Sequence, residues 1–136
     1  MGHYMRYIVT DSKEINLSII EEGCKSLDNN IIFISSGSKC ADFTYRSEVY
    51  GEIEINRPGD GIFEGEVEEL IEFIEDAISG DREEVLTTLN QAKVIIAFRV
   101  LSEGSKSEES IEKIDNLWNW LFDNYKGLSL KDGLVS

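Results

Sequence analysis

The clearest pattern along the chain is an alternation between residues 42 and 55. Phe43, Tyr45, Val49, Ile53 and Ile55 occupy odd positions, while Asp42, Thr44, Arg46, Glu48, Glu52 and Glu54 occupy even ones. A period of two turns the first set toward a core and the second toward water, and predicts one long strand. Ser47 and Gly51 interrupt the apolar face, and a bulge near either would bend the strand. Asn56-Arg57-Pro58-Gly59-Asp60-Gly61 closes it with turn residues, including the only proline. Shorter strands are predicted at Tyr7-Ile8-Val9-Thr10 and over residues 31–35, with Ser36-Gly37-Ser38-Lys39 as a hairpin loop. Residues 94–101 are apolar on nearly both faces, as in a central strand covered by helices.

Between these strands the period changes to that of a helix. Asp11 and Glu14 read as a capping box before Ile15, Ile19, Ile20, Cys24 and Leu27. Val67, Leu70, Ile71, Ile74, Ala77 and Ile78 form the stripe of a helix over 64–79, with Gly80 as its C′ residue. Asp81 with Glu84 opens a short extra helix carrying Val85, Leu86 and Leu89. Ser105 with Glu108 opens the last long one, whose stripe runs through Ile111, Ile114, Leu117, Trp118, Leu121, Phe122 and Tyr125 to Gly127. Leu128-Ser129-Leu130 is a short added strand or an ordered tail. The order β-α-β-β-α-β-α predicts an α+β fold. The expected form is a single-layer, mainly antiparallel four-stranded sheet with helices packed on one face, in ferredoxin-like topology. With no repeat or linker in 136 residues, residues 5–136 read as one globular domain. Residues 1–4 read as an appended leader, which leaves the natural chain without histidine.

Charge narrows the functional classes. Twenty-seven acidic against 13 basic residues give a net charge of −14, which argues against nucleic acid and anionic membrane as partners. No apolar run approaches the ~20 residues of a membrane span. Cys24 and Cys40 lack zinc spacing and fit two reduced thiols in a cytoplasmic protein. There is no phosphate-binding loop, dinucleotide fingerprint, nucleophile elbow or calcium loop, so no catalytic residue, metal or cofactor is assigned.

The acidity is concentrated in one place. Residues 64–84 hold ten carboxylates and the single basic residue Arg82, a net −9 and about two-thirds of the total. Glu69, Glu72 and Asp76 share a helical face, but no Glu-x-x-His helix completes a di-metal site. Like charges at i, i+3 and i+4 cost ~0.2–0.5 kcal/mol per pair, a poor arrangement if solubility were the only need. The expected partner-binding set is therefore Glu66, Glu68, Glu69, Glu72, Glu75 and Asp76, joined by Glu52 and Glu54 if the strand presents them on the same side. Trp120 lies outside the apolar stripe of its helix and is an anchor unless the tail through Leu128, Leu130 or Leu134 covers it. Charge and size together suggest a small, non-catalytic, immunity- or inhibitor-type module that docks a basic protein such as a nuclease toxin, as monomer or homodimer. Two other readings stand beside it. One is a ligand-binding domain or enzyme using Thr44, Arg46 and Tyr50 on the sheet. The other is an acidic homodimer whose charge only solubilises.

Overall fold

The central strand decides the architecture. Every position in 94–100 except Arg99 is buried, so apolar layers must lie on both sides of it. The computed structural model describes residues 4–35, 37, 39–76, 82–100, 108–131 and 134–135. In chain order these form β1 (Tyr4–Val9), α1 (Leu17–Leu27), β2 (Ile31–Ser35), β3 (Cys40–Tyr45) and β4 (Glu48–Asn56). They continue through α2 (Phe63–Asp76), α3 (Arg82–Asn90), β5 (Val94–Val100), α4 (Glu108–Asn124), β6 (Gly127–Lys131) and β7 (Leu134–Val135). The strands make one antiparallel sheet in the order β2-β3-β4-β5-β1-β6-β7.

The chain is thus α+β, but the four-stranded ferredoxin-like sheet with helices on one face is not what it adopts. Alternation along β1 and β5 feeds two separate cores. Tyr7, Val9, Ile96 and Phe98 pack with Ile20 and Cys24 of α1 and with Leu117, Trp118 and Leu121 of α4. Ile8 and Ile95 point the other way, to Phe63 and Leu70 of α2 and Val85 and Leu89 of α3. Helices therefore flank the sheet on both faces. The first core also seals its polar groups: the Trp118 Nε1–H donates to Ser129 Oγ at 2.8 Å, and the Tyr7 hydroxyl to the Tyr125 carbonyl at 2.7 Å.

The predicted long strand is two strands. Arg46 and Ser47, with φ of 51° and 71°, make a two-residue hairpin turn between β3 and β4. A two-residue turn pairs odd positions with even ones, as in Tyr45 with Glu48 and Thr44 with Val49. A register shift between Phe43 and Thr44 then inserts Tyr50 as an extra residue, and beyond it odd pairs with odd, as in Phe43 with Gly51 and Ala41 with Ile53. Val49 consequently leaves the core side and is exposed, while Tyr50 is buried.

The first helix starts later than its sequence suggests. The capping box expected at Asp11 and Glu14 is not used, because α1 begins six residues after Asp11. Asn16 is its N-cap, the Oδ1 accepting from the Ile19 N–H at 2.9 Å. Asp11 instead accepts from the N–H groups of Lys13 and Lys126, which ties the β1–α1 loop to the end of α4. These bonds, led by the one from Lys13, hold its carboxyl below the usual carboxylate range. The caps expected at Asp81 and Ser105, and the C′ residue at Gly80, lie outside the described residues, as do Ser36 and Ser38 of the expected hairpin loop. The extra helix before the central strand and the added strand after Gly127 are both present, as α3 and β6.

Candidate functional site

The loop before α2 is built to launch an acidic helix. Gly59 and Gly61 take φ of 90° and 85°, which other residues resist. Asp60 sits between them. Its Oδ1 accepts from the N–H groups of Ile62 and Phe63, both at 2.8 Å, and its Oδ2 from that of Arg57 at 2.9 Å. Partial burial opposes ionisation of Asp60, but these donors and nearby Lys39 outweigh it and hold the carboxyl at about 2. Glu64 closes the turn by accepting from the Gly59 N–H at 2.8 Å.

Along α2 the side chains sort by face. Phe63 and Leu70 are buried against the sheet, with Val67 and Ile71 packed beside them. Glu66 also turns inward and meets the Arg6 guanidinium of β1 at 2.9 Å, so it is committed within the fold. Glu64, Glu68, Glu69 and Glu72 face solvent. Glu75 and Asp76 occupy the last turn, where the backbone alone is described. Phe63, Val67 and Ile71 form one i, i+4 row and Glu64, Glu68 and Glu72 the next, and together they line an open groove of about 400 Å³. Reasoning from sequence missed Phe63, Glu64, Val67 and Ile71 as part of this surface. The offset between the two rows was the available signal.

Glu52 and Glu54 lie on the face of the sheet that α2 covers. Register places Glu52 beside Arg99 and Glu54 beside Ala97, which is next to Arg6, the partner of Glu66. Glu52 is 3.7 Å from the Arg99 guanidinium, an exposed pair worth little. Glu54 is more engaged, accepting from the Cys40 thiol at 3.3 Å and from Asn56 Nδ2 at 3.1 Å. Burial and then this carboxylate push the Cys40 thiol up to about 11. Cys24, buried in α1, is pushed up to about 12 by desolvation and by Glu21. Neither thiol is a ready nucleophile.

Trp120 is half-buried, and of the tail residues expected to cover it the side chains of Leu130 and Leu134 lie outside the described residues. Its ring lies against Gly23 of α1, where an added Cβ would sit 2.1 Å from the indole, and 5.9 Å from the Tyr125 ring. Leu128 packs on the opposite side of the sheet, with α2 and α3.

No family model, curated protein or solved structure matches this chain.

The remaining candidates do not converge. Arg46 is at the hairpin tip over the Tyr45 ring, Thr44 donates to the Ile32 carbonyl, and Tyr50 is buried on the other face of the sheet. Among the described residues, no three His, Cys, Asp or Glu side chains are grouped to hold a metal ion, and no helix is long and apolar enough to cross a membrane. What the arrangement offers chemically is a shallow apolar floor bordered by negative charge.

Proposed function

We propose that this protein is a non-catalytic binding module that docks a basic protein partner on the acidic side of α2. The observation that carries the reading is the row Glu64, Glu68 and Glu72 running beside Phe63, Val67 and Ile71. A purely solubilising face has no need of an apolar floor, and a purely apolar groove would recruit partners without regard to charge. Here the floor supplies area and the carboxylates choose the sign of the partner. Glu69 adds to the exposed charge, and α2 has no basic residue in its last turn to offset it. An inhibitor-type role fits this arrangement, because carboxylates that stand in for phosphates occupy the anion site of a basic enzyme. Steered association of this kind reaches ~10⁸–10⁹ M⁻¹s⁻¹ at low salt.

The test is capture of the partner at low salt, its identification by mass, and stopped-flow measurement of association over a salt series. Glu68→Lys with Glu72→Lys should slow association by roughly tenfold or more at low salt while leaving the folded state intact. An association rate that ignores both salt and these substitutions removes the proposal.

A further inference from the structure

The other half of the α2-bearing sheet face is an unusual surface for so acidic a chain. Strand register lays its side chains out in rows. Ile32, Thr44 and Val49 stand side by side across β2, β3 and β4, and the next row runs Ile34, Asp42, Glu52 and Arg99. Ile32, Ile34 and Val49 are 49%, 53% and 39% exposed, and the Thr44 hydroxyl between them is tied to the Ile32 carbonyl at 2.6 Å. At strand spacings of about 4.8 Å and residue repeats of about 7 Å, this aliphatic corner measures roughly 10 by 10 Å. Carboxylates adjoin it: Asp42 and Glu52 in the second row and Glu54 in the third.

Two features decide how it is occupied. First, two of the outward N–H groups along the edge of β2 are already taken, which opposes strand addition. The Arg46 N–H bonds to the Asn30 carbonyl, so the N–H groups of Ile31 and Phe33 point away from the sheet. Both are satisfied internally, Ile31 by the Asp28 carbonyl and Phe33 by the Glu21 carboxylate at 2.8 Å, which Lys25 supports from the next turn of α1. Docking onto the face is therefore favoured over docking along the edge. Second, a copy of this chain placed on the face would bring Asp42, Glu52 and Glu54 against like charge, with −14 on each molecule. We infer that the Ile32–Ile34–Val49 corner is a second docking surface, for a segment of a basic protein that presents aliphatic side chains flanked by Lys or Arg. This inference rests on the docking reading above and names the chemistry of the partner.

The experiment uses the whole chain with isoleucine and valine methyls labelled for NMR, and two synthetic probes of equal charge, an oligolysine and a leucine–lysine peptide. The leucine–lysine peptide should bind roughly tenfold tighter, with methyl shifts centred on Ile32, Ile34 and Val49. Ile32→Thr with Ile34→Thr keeps β-branched residues in the strand and should lower its affinity to that of oligolysine. Unchanged oligolysine binding would show that this variant is folded. Equal affinity for the two probes overturns this inference while leaving the acidic docking reading standing. Shifts confined to Val67 and Ile71 overturn it as well, as does self-association in sedimentation that Ile34→Thr abolishes. Failure of both probes to bind overturns this inference and the docking reading together.

Discussion

Replacing Gly23 with alanine sets two effects of known sign against each other. In the interior of α1, alanine is favoured over glycine by about 1 kcal/mol, because it loses less backbone freedom on folding. The same methyl would stand 2.1, 2.3 and 2.5 Å from Cε2, Cζ2 and Nε1 of Trp120. Carbon contacts settle near 3.5–4.0 Å, so the ring must retreat by about 1.5 Å. Forcing a methyl into packed surroundings costs about 1–3 kcal/mol, and a displaced indole also gives up its contact with Tyr125. The steric cost exceeds the helical gain: Gly23→Ala should destabilise by about 1 kcal/mol net, a fall of roughly 3–5 °C in Tm for a chain of this size. Thermal and urea unfolding measure the effect, and indole fluorescence should move toward the red as Trp120 becomes wetter. The decisive step repeats the substitution in a Trp120→Leu background. There the obstacle is gone, and Gly23→Ala should stabilise by about 1 kcal/mol. A Gly23→Ala effect of the same sign and size in both backgrounds would refute the packing argument.

Two further outcomes test the polar supports of the fold. Asp60 titrates at about 2 in the folded protein against a reference of 3.8, so its stabilising effect is complete above about pH 4 and lost as pH falls toward 2. The stability gap between the native chain and Asp60→Asn should therefore be about 2 kcal/mol at neutral pH and shrink across that window in urea titrations; a gap independent of pH would contradict the assignment. Ser129→Ala should cost about 1–3 kcal/mol, because it leaves the buried Trp118 Nε1–H without its acceptor. Measured in a Trp118→Phe background, the same change should cost clearly less, since no donor remains to be orphaned.

Much of the fold was legible, and where it was not the reasons are specific. The helical stripes at Val67, Leu70 and Ile71 and at Ile114, Leu117 and Leu121 face cores because a period of 3.6 cannot be produced by a strand. The hairpin at Arg46 and Ser47 was concealed. Its turn exchanges odd for even, the bulge at Tyr50 exchanges them back, and the alternation passes over both as though the strand were continuous. Neither turn residue is the glycine or asparagine that usually announces φ above zero. The second helical layer was hidden differently. A central strand covered on both faces reads as a uniform apolar run, which says how deeply it is buried and nothing of which helix lies on which side. Of the candidate surface, the exposed carboxylates Glu68, Glu69 and Glu72 could be read from helical spacing. The inward turn of Glu66 could not, because it depends on Arg6 lying across the sheet, sixty residues away in sequence.

The position of β1 has a consequence for how the protein is made. Arg6 pairs with Ala97 on one side and Leu130 on the other, so β1 is completed by β5 and β6, which are synthesised well after it. At translation rates of about 5–20 residues per second, β1 waits roughly 6–25 s for β6 to emerge. Through that interval Met5, Tyr7, Ile8 and Val9 have no complete sheet to enter, while β2, β3 and β4 close locally as hairpins. Such wiring gives a high contact order and slow, late closure. Until then the nascent chain presents an apolar strand to chaperones, and loss of β6 would turn β1, a buried inner strand, into an edge.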